Sequence, residues 1–162
     1  MNIVLAGMPG CGKTTVAKLL EKCGKKSYDT DAQIVKEHGE ITEIFKNFGE
    51  RYFRELETVA VKTLCGLDGI VIATGGGCLL KTENVKLLKS NGKIIYLRTL
   101  PQTLVNRLKG DATRPLLAGG QEERINKLYG ERAQIYERAA DLIIDTDGLN
   151  PEQIVQRILQ IL

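Results

Sequence analysis

The sequence has no apolar run approaching the roughly 20 residues that a membrane-crossing helix needs, so it offers no transmembrane candidate. Charge of one sign is also not in excess: 23 Lys and Arg stand against 20 Asp and Glu, a formal charge of +3. That balance is too mild to point to nucleic acid or a membrane surface as partner. It suits small anionic substrates, provided particular arginines can be named for them. Cys11, Cys23, Cys65 and Cys78 are widely spaced and lack the paired spacing of zinc or redox motifs. They read as reduced thiols, with the Cys11 thiol expected to be partly exposed beside Lys13. There is no internal repeat and no low-complexity tract. Met1 runs almost directly into the first apolar stretch, so no signal or transit segment is expected. These absences suggest a cytoplasmic protein, expected to be a monomer. A chain of 162 residues, 43% hydrophobic and 27% charged, reads as one globular domain spanning 1–162. Its length suffices to bury roughly two-thirds of its unfolded surface without disulfides.

What is present begins with Gly7-Met8-Pro9-Gly10-Cys11-Gly12-Lys13-Thr14, which fits the phosphate-loop pattern of glycine, four residues, then glycine-lysine-threonine. Its neighbours fit too. Asn2–Ala6 reads as a buried strand, and Thr14–Lys22 places Val16, Leu19 and Leu20 on one helical face. Gly7, Gly10 and Gly12 let the backbone turn its N–H groups inward at a helix N-terminus, which makes an anion nest. Lys13 can then reach the β- and γ-phosphates, while the Thr14 hydroxyl can ligate Mg²⁺. A glycine-rich turn that only caps a helix is the bland alternative, and the strand–loop–helix context argues against it. ATP or GTP is the expected ligand.

Further apolar, β-branched runs follow at Lys26–Asp29, Ile70–Thr74, Lys93–Leu97 and Asp141–Asp145, with helical stretches between them. Helices fit at Glu50–Leu67, Thr82–Asn91, Pro101–Leu108, Glu122–Arg138 and Pro151–Leu162. Pro101 and Pro151 sit where a first turn tolerates a missing N–H. Alternating strands and helices imply an α/β fold of three layers, about five parallel strands with helices on both faces. Two segments fall outside this pattern. One runs from Asp31 to about residue 57 and includes a short amphipathic piece at Ile41–Phe48; the other covers about 110–121 around Arg114-Pro115-Leu116-Leu117. Both follow strand carboxyl ends, where ligands bind in open parallel sheets. One can hold an acceptor and the other can close as a lid.

Asp29-Thr30-Asp31 stands at the end of the second strand. Either carboxylate could face Mg²⁺ or an acceptor hydroxyl, and either could equally cap a helix. Arg54 and Glu57 lie three apart on one helical face, the spacing of an ordinary surface ion pair. Gly75-Gly76-Gly77 directly follows the third strand, and three successive glycines suit close backbone approach to a ligand. Arg132 lies on the long helix that leads to the fifth strand.

Taken together, these segments resemble shikimate kinase over nearly the whole chain and in order. The matching stretches are Gly7–Thr15, Tyr28-Asp29-Thr30-Asp31, Ile44-Phe45 with Gly49-Glu50, Phe53-Arg54-Glu55-Leu56-Glu57, Gly75–Gly77, Arg114-Pro115-Leu116-Leu117 and Glu131-Arg132 with Tyr136. The phosphate loop discriminates little between families, whereas the paired aspartates, phenylalanine-arginine and triple glycine discriminate well. No asparagine-lysine-x-aspartate signature for guanine follows the fourth strand, which favours ATP over GTP.

The resemblance implies a P-loop kinase fold and ATP-dependent phosphorylation of the shikimate 3-hydroxyl. It implies that Arg54 and Arg132 grip the shikimate carboxylate, for which a planar guanidinium is suited. Asp31 would orient or deprotonate the 3-hydroxyl, and Gly76, between Gly75 and Gly77, would offer a backbone N–H. Asp29 would hold Mg²⁺ mostly through water, beside Thr14. Gly10, Cys11, Gly12, Lys13, Thr14 and Thr15 would bind the nucleotide. Arg114 would neutralise the transferring phosphoryl group, and Arg107 would stack on adenine opposite the loop from Asp147 to Pro151. Leu149 departs from the family pattern, which often has a basic residue in that loop. Kinases of the same build for gluconate or a nucleoside monophosphate remain as alternatives, as does a nucleotide-binding module without turnover.

Overall fold

β-Branched and apolar stretches form a sheet in which burial follows position. The computed structural model describes residues 1–109 and 120–162. β1 (Asn2–Ala6) is buried throughout, as is β3 (Val71–Ala73), and β4 (Gly92–Arg98) buries Ile94 to Leu97. β2 (Ser27–Asp29) and β5 (Leu142–Asp145) are only partly covered. The spatial order β2-β3-β1-β4-β5 explains the difference, since those two strands are the edges. All pairings are parallel, and parallel strands buried on both faces read as continuous apolar runs. In the β2–β3 pairing, Asp29 lies opposite Ala73.

Between them run α1 (Lys13–Lys22), α2 (Thr30–His38), α3 (Ile41–Cys65), α4 (Thr82–Ser90), α5 (Pro101–Lys109) and α6 (Gln121–Ala139), with α7 (Pro151–Ile161) at the end. The crossover from β1 to β2 travels one way along the sheet and the other three travel the opposite way. Parallel crossovers are right-handed, so α1 covers one face and α3, α4 and α6 cover the other. α7 packs on α1, and α3 packs on α4, which completes the three layers. At α7, Asn150 and Gln153 form a reciprocal capping box around Pro151.

Every expected strand is present, within one residue at each end. The expected helices differ more at the segment following β2. Thr30–His38 is helical, in a segment read as polar with a possible helix cap at its aspartates, because Asp29 caps it and Ile34 anchors it in a small core with Ile44, Phe53 and Ala60. One buried apolar residue is too few to make a helical period visible. The amphipathic piece at Ile41–Phe48 and the helix expected from Glu50 run together as α3. They are joined by a kink at Gly49, whose φ of 85° a side chain would oppose. A single 3₁₀ turn at Cys78–Leu80 was likewise not expected.

Candidate active site

The carboxyl ends of β1, β2 and β3 bring the phosphate loop, the paired aspartates and the triple glycine to one edge of the sheet. Gly12, with φ 102°, ends the loop and opens α1. Lys13 Nζ donates to Gly7 O at 2.6 Å and Met8 O at 3.0 Å, so its ammonium lies across its own loop. Contrary to expectation, Cys11 is buried, at 2% exposure. A Cβ at position 7 would lie 2.7 Å from its Sγ, so the thiol fills the space that glycine leaves under the loop. Thr14 and Thr15 are exposed on the first turn of α1. Thr14 and Asp29 line the same cavity of about 200 Å³, together with Lys18 and Ser27.

The two aspartates divide their tasks. Asp29 Oδ1 accepts from Asp31 N at 2.8 Å and Ala32 N at 3.0 Å, an N-cap for α2. Asp31 is turned the other way, and its Oδ1 is buried without a partner among the described residues. Burial lifts the Asp31 carboxyl above its ordinary value, the Asp29 charge adds to this, and Lys13 and Arg54 oppose it. Between them Thr30 is fully buried, and its Oγ1 accepts from Gly75 N at 2.9 Å.

Each glycine of the triple faces one charged side chain. A Cβ at position 75 would lie 2.5 Å from Asp31 Oδ1, and one at position 76 would lie 3.0 Å from Arg132 Nη1 and 3.3 Å from Pro9. A Cβ at position 77 would collide with the Arg54 guanidinium. The missing side chains let the three groups lie close against this backbone, and two guanidinium groups from distant helices thereby meet neighbouring residues of one loop. Arg54 Nη1 donates to Glu57 Oε1 at 3.1 Å and Nη2 to Glu50 Oε1 at 3.3 Å. Glu57 is not the surface partner that its spacing suggested: it is 1% exposed and its second oxygen has no partner among the described residues. Burial raises its pKa, and Arg54 opposes the shift without cancelling it.

On the other side of the loop, Arg107 Nη1 donates to Gly10 O at 3.0 Å. Arg107 shares a cavity of about 290 Å³ with Gly12, Thr15, Leu149 and Pro151, which brings it beside the end of the loop expected opposite it. Arg114 lies outside the described residues, as does most of the lid expected at 110–121. Sequence reasoning gave no binding or positioning role to Thr30 or Tyr136. Tyr136 donates from its hydroxyl to Gly76 O at 2.6 Å, and burial pushes its pKa up to about 12. The available signals were slight: Thr30 stands between the aspartates, and Tyr136 is one turn after Arg132.

Among the described residues, no three His, Cys, Asp or Glu side chains converge as metal ligands. A hard cation held by a hydroxyl, a carboxylate through water and phosphate oxygens needs no such cluster. No described helix is long and apolar enough to cross a membrane.

A nucleotide loop at the end of the central strand, adjoining a cluster of one half-buried acid and two arginines, defines the class: a P-loop kinase of small molecules. The family model described as shikimate kinase matches residues 9–162. The chain is 44% identical over 163 residues to a shikimate kinase of Caldicellulosiruptor bescii, covering 99% of this chain and 94% of that one. A solved shikimate kinase from Acinetobacter baumannii in complex with shikimate superposes with a TM-score of 0.89 at 36% identity, covering 99% of this chain and 91% of that one. One from Bacteroides thetaiotaomicron gives 0.90 at 31% identity, covering 99% and 97%. The chain belongs to the shikimate kinase family.

Proposed function

We propose that this chain transfers the γ-phosphoryl group of ATP to the 3-hydroxyl of shikimate, giving shikimate 3-phosphate and ADP. The observation that carries this reading is the triple glycine, which has Asp31, Arg132 and Arg54 each against one residue and Pro9 of the phosphate loop against its middle. An acceptor bearing one carboxylate and several hydroxyls matches two guanidinium groups and one carboxylate in that setting. Lys13 exchanges the Gly7 and Met8 carbonyls for β- and γ-phosphate oxygens. Asp31, its Oδ1 unpartnered among the described residues, accepts the 3-hydroxyl and orients it toward phosphorus. The transition state of phosphoryl transfer is loose, so placement and charge neutralisation contribute more than base strength.

Mg²⁺ would be held by Thr14 directly and by Asp29 through water, and when bound it supplies positive charge to the phosphate oxygens. Support for this comes from the single cavity that both residues line. The first oxygen of Asp29 caps α2, and the second takes no hydrogen bond among the described residues. Arg107 and Leu149 would enclose adenine, and Arg114 would act on the transferring group, a role that rests on sequence alone. Residues 1–162 would form one domain, with 31–57 as the acceptor segment, at work in the cytoplasm.

The test is a coupled assay of ADP release with purified protein, Mg²⁺ and ATP. Turnover is expected on adding shikimate and not on adding gluconate or a nucleoside monophosphate. ADP release that ignores shikimate would refute the reading.

A further inference from the structure

The hydrogen bond from Tyr136 to Gly76 ties α6 to the glycine loop at 2.6 Å. A trans peptide is planar, so a carbonyl and the following N–H point in opposite directions. Holding Gly76 O toward α6 therefore turns Gly77 N–H away from α6. The preceding peptide is fixed as well, since Gly75 O accepts from Cys78 N at 3.0 Å. Gly75 N–H is taken by Thr30 Oγ1. By contrast, the N–H groups of Gly76 and Gly77 donate to no acceptor among the described residues. Two donors are thus aimed, without an acceptor among the described residues, beside two guanidinium groups.

Packing alone does not call for a hydroxyl at this position. The Tyr136 ring is buried at 2% exposure and lies 5.1 Å from the Tyr96 ring, a contact that phenylalanine would keep. Arg132 and Tyr136 occupy successive turns of one face of α6, and both meet Gly76.

We propose that Tyr136 is a positioning residue for the acceptor: its hydroxyl fixes the Gly76–Gly77 peptide in register with Arg132, so that backbone donors and guanidinium address the same molecule. This rests on the shikimate reading given above. Tyr136 does not itself touch the acceptor; it acts through the glycine loop.

The experiment compares steady-state kinetics and thermal melts of the full chain with those of Tyr136→Phe and Tyr136→Leu. Loss of one hydrogen bond that aims a binding group should raise the KM for shikimate about tenfold in Tyr136→Phe. Its KM for ATP and its Tm should stay near those of the parent, and kcat should fall much less than KM rises. Tyr136→Leu should show the same KM effect together with a lower Tm. Phenylalanine kinetics equal to the parent, with only leucine impaired, would assign Tyr136 to packing and overturn the inference. Equal rises in both KM values would overturn it too. A parent chain without shikimate-dependent ADP release would instead sink the underlying functional reading, and this inference with it.

Discussion

Eight consecutive residues, Gly7 to Thr14, supply the whole phosphate loop, whereas the proposed acceptor cradle draws Asp31, Arg54, Gly76 and Arg132 from α2, α3, the turn after β3 and α6. Their polar groups differ as well. In the loop, Lys13 is satisfied by its own carbonyls, and Gly10 O receives Arg107. In the cradle, buried oxygens of Asp31 and Glu57 stand without partners among the described residues. A local motif can complete itself before ligand arrives. A site assembled from distant elements leaves its polar groups for the ligand to complete, and it carries the instability of unpaired buried charge.

Asp31→Asn should mark that contrast most strongly, with turnover falling roughly 10²–10⁴-fold, the range for a lost general base, while ATP affinity stays near normal. Near-normal turnover would remove Asp31 from the chemistry. The same variant should be more stable. Asp31 has a folded pKa above its ordinary 3.8, so its favourable contribution is complete below that value and disappears as pH rises through the folded pKa. At neutral pH the folded chain holds a charge that burial and Asp29 disfavour. Thermal melts at pH 7 should therefore show Asn raising Tm by about 2–4 °C. A lower Tm would mean that Asp31 holds the fold together.

Arg132→Ala should come next, raising the shikimate Kd about 10–100-fold in a calorimetric titration, the worth of a charged hydrogen-bond pair. Unchanged binding would refute its place in the cradle. Gly77→Ala tests close approach itself. With φ −98° and ψ 1°, alanine fits the backbone, and the nearest group that the added methyl meets is the Arg54 guanidinium. A rise of about tenfold in shikimate KM is expected from that displaced charge, with ATP KM unmoved; a matching shift in ATP KM would show that the two halves are not separable. Leu149→Ala should have the smallest effect, about fivefold on ATP KM from lost apolar cover and none on shikimate.

The same division governs what could be read in the sequence. β1, the phosphate loop and α1 are contiguous and carry strong residue preferences, so their positions and chemistry were legible together. The other strands were legible as apolar runs. Asp31, Arg54 and Arg132 were identifiable through resemblance, but nothing in their spacing says that each stands against a particular glycine. That pairing arises only when α2, α3 and α6 meet the turn after β3. α2 went unread because a cap and one buried isoleucine hold it. The bonds made by Thr30 and Tyr136 went unread because their hydroxyls reach backbone far along the chain, which leaves no local pattern.

The pairing of Asp29 with Ala73 on the edge of the sheet acts as a ruler. Strand positions advance in steps of about 3.3 Å and alternate faces. An extra residue in the turn at Gly24–Lys26 can bulge outward and leave the acid opposite its glycine. An extra residue within Ser27–Asp29 would move Asp31 by a full step, farther than a change of rotamer can recover. Added length is thus absorbed more readily in the connection than in these three residues.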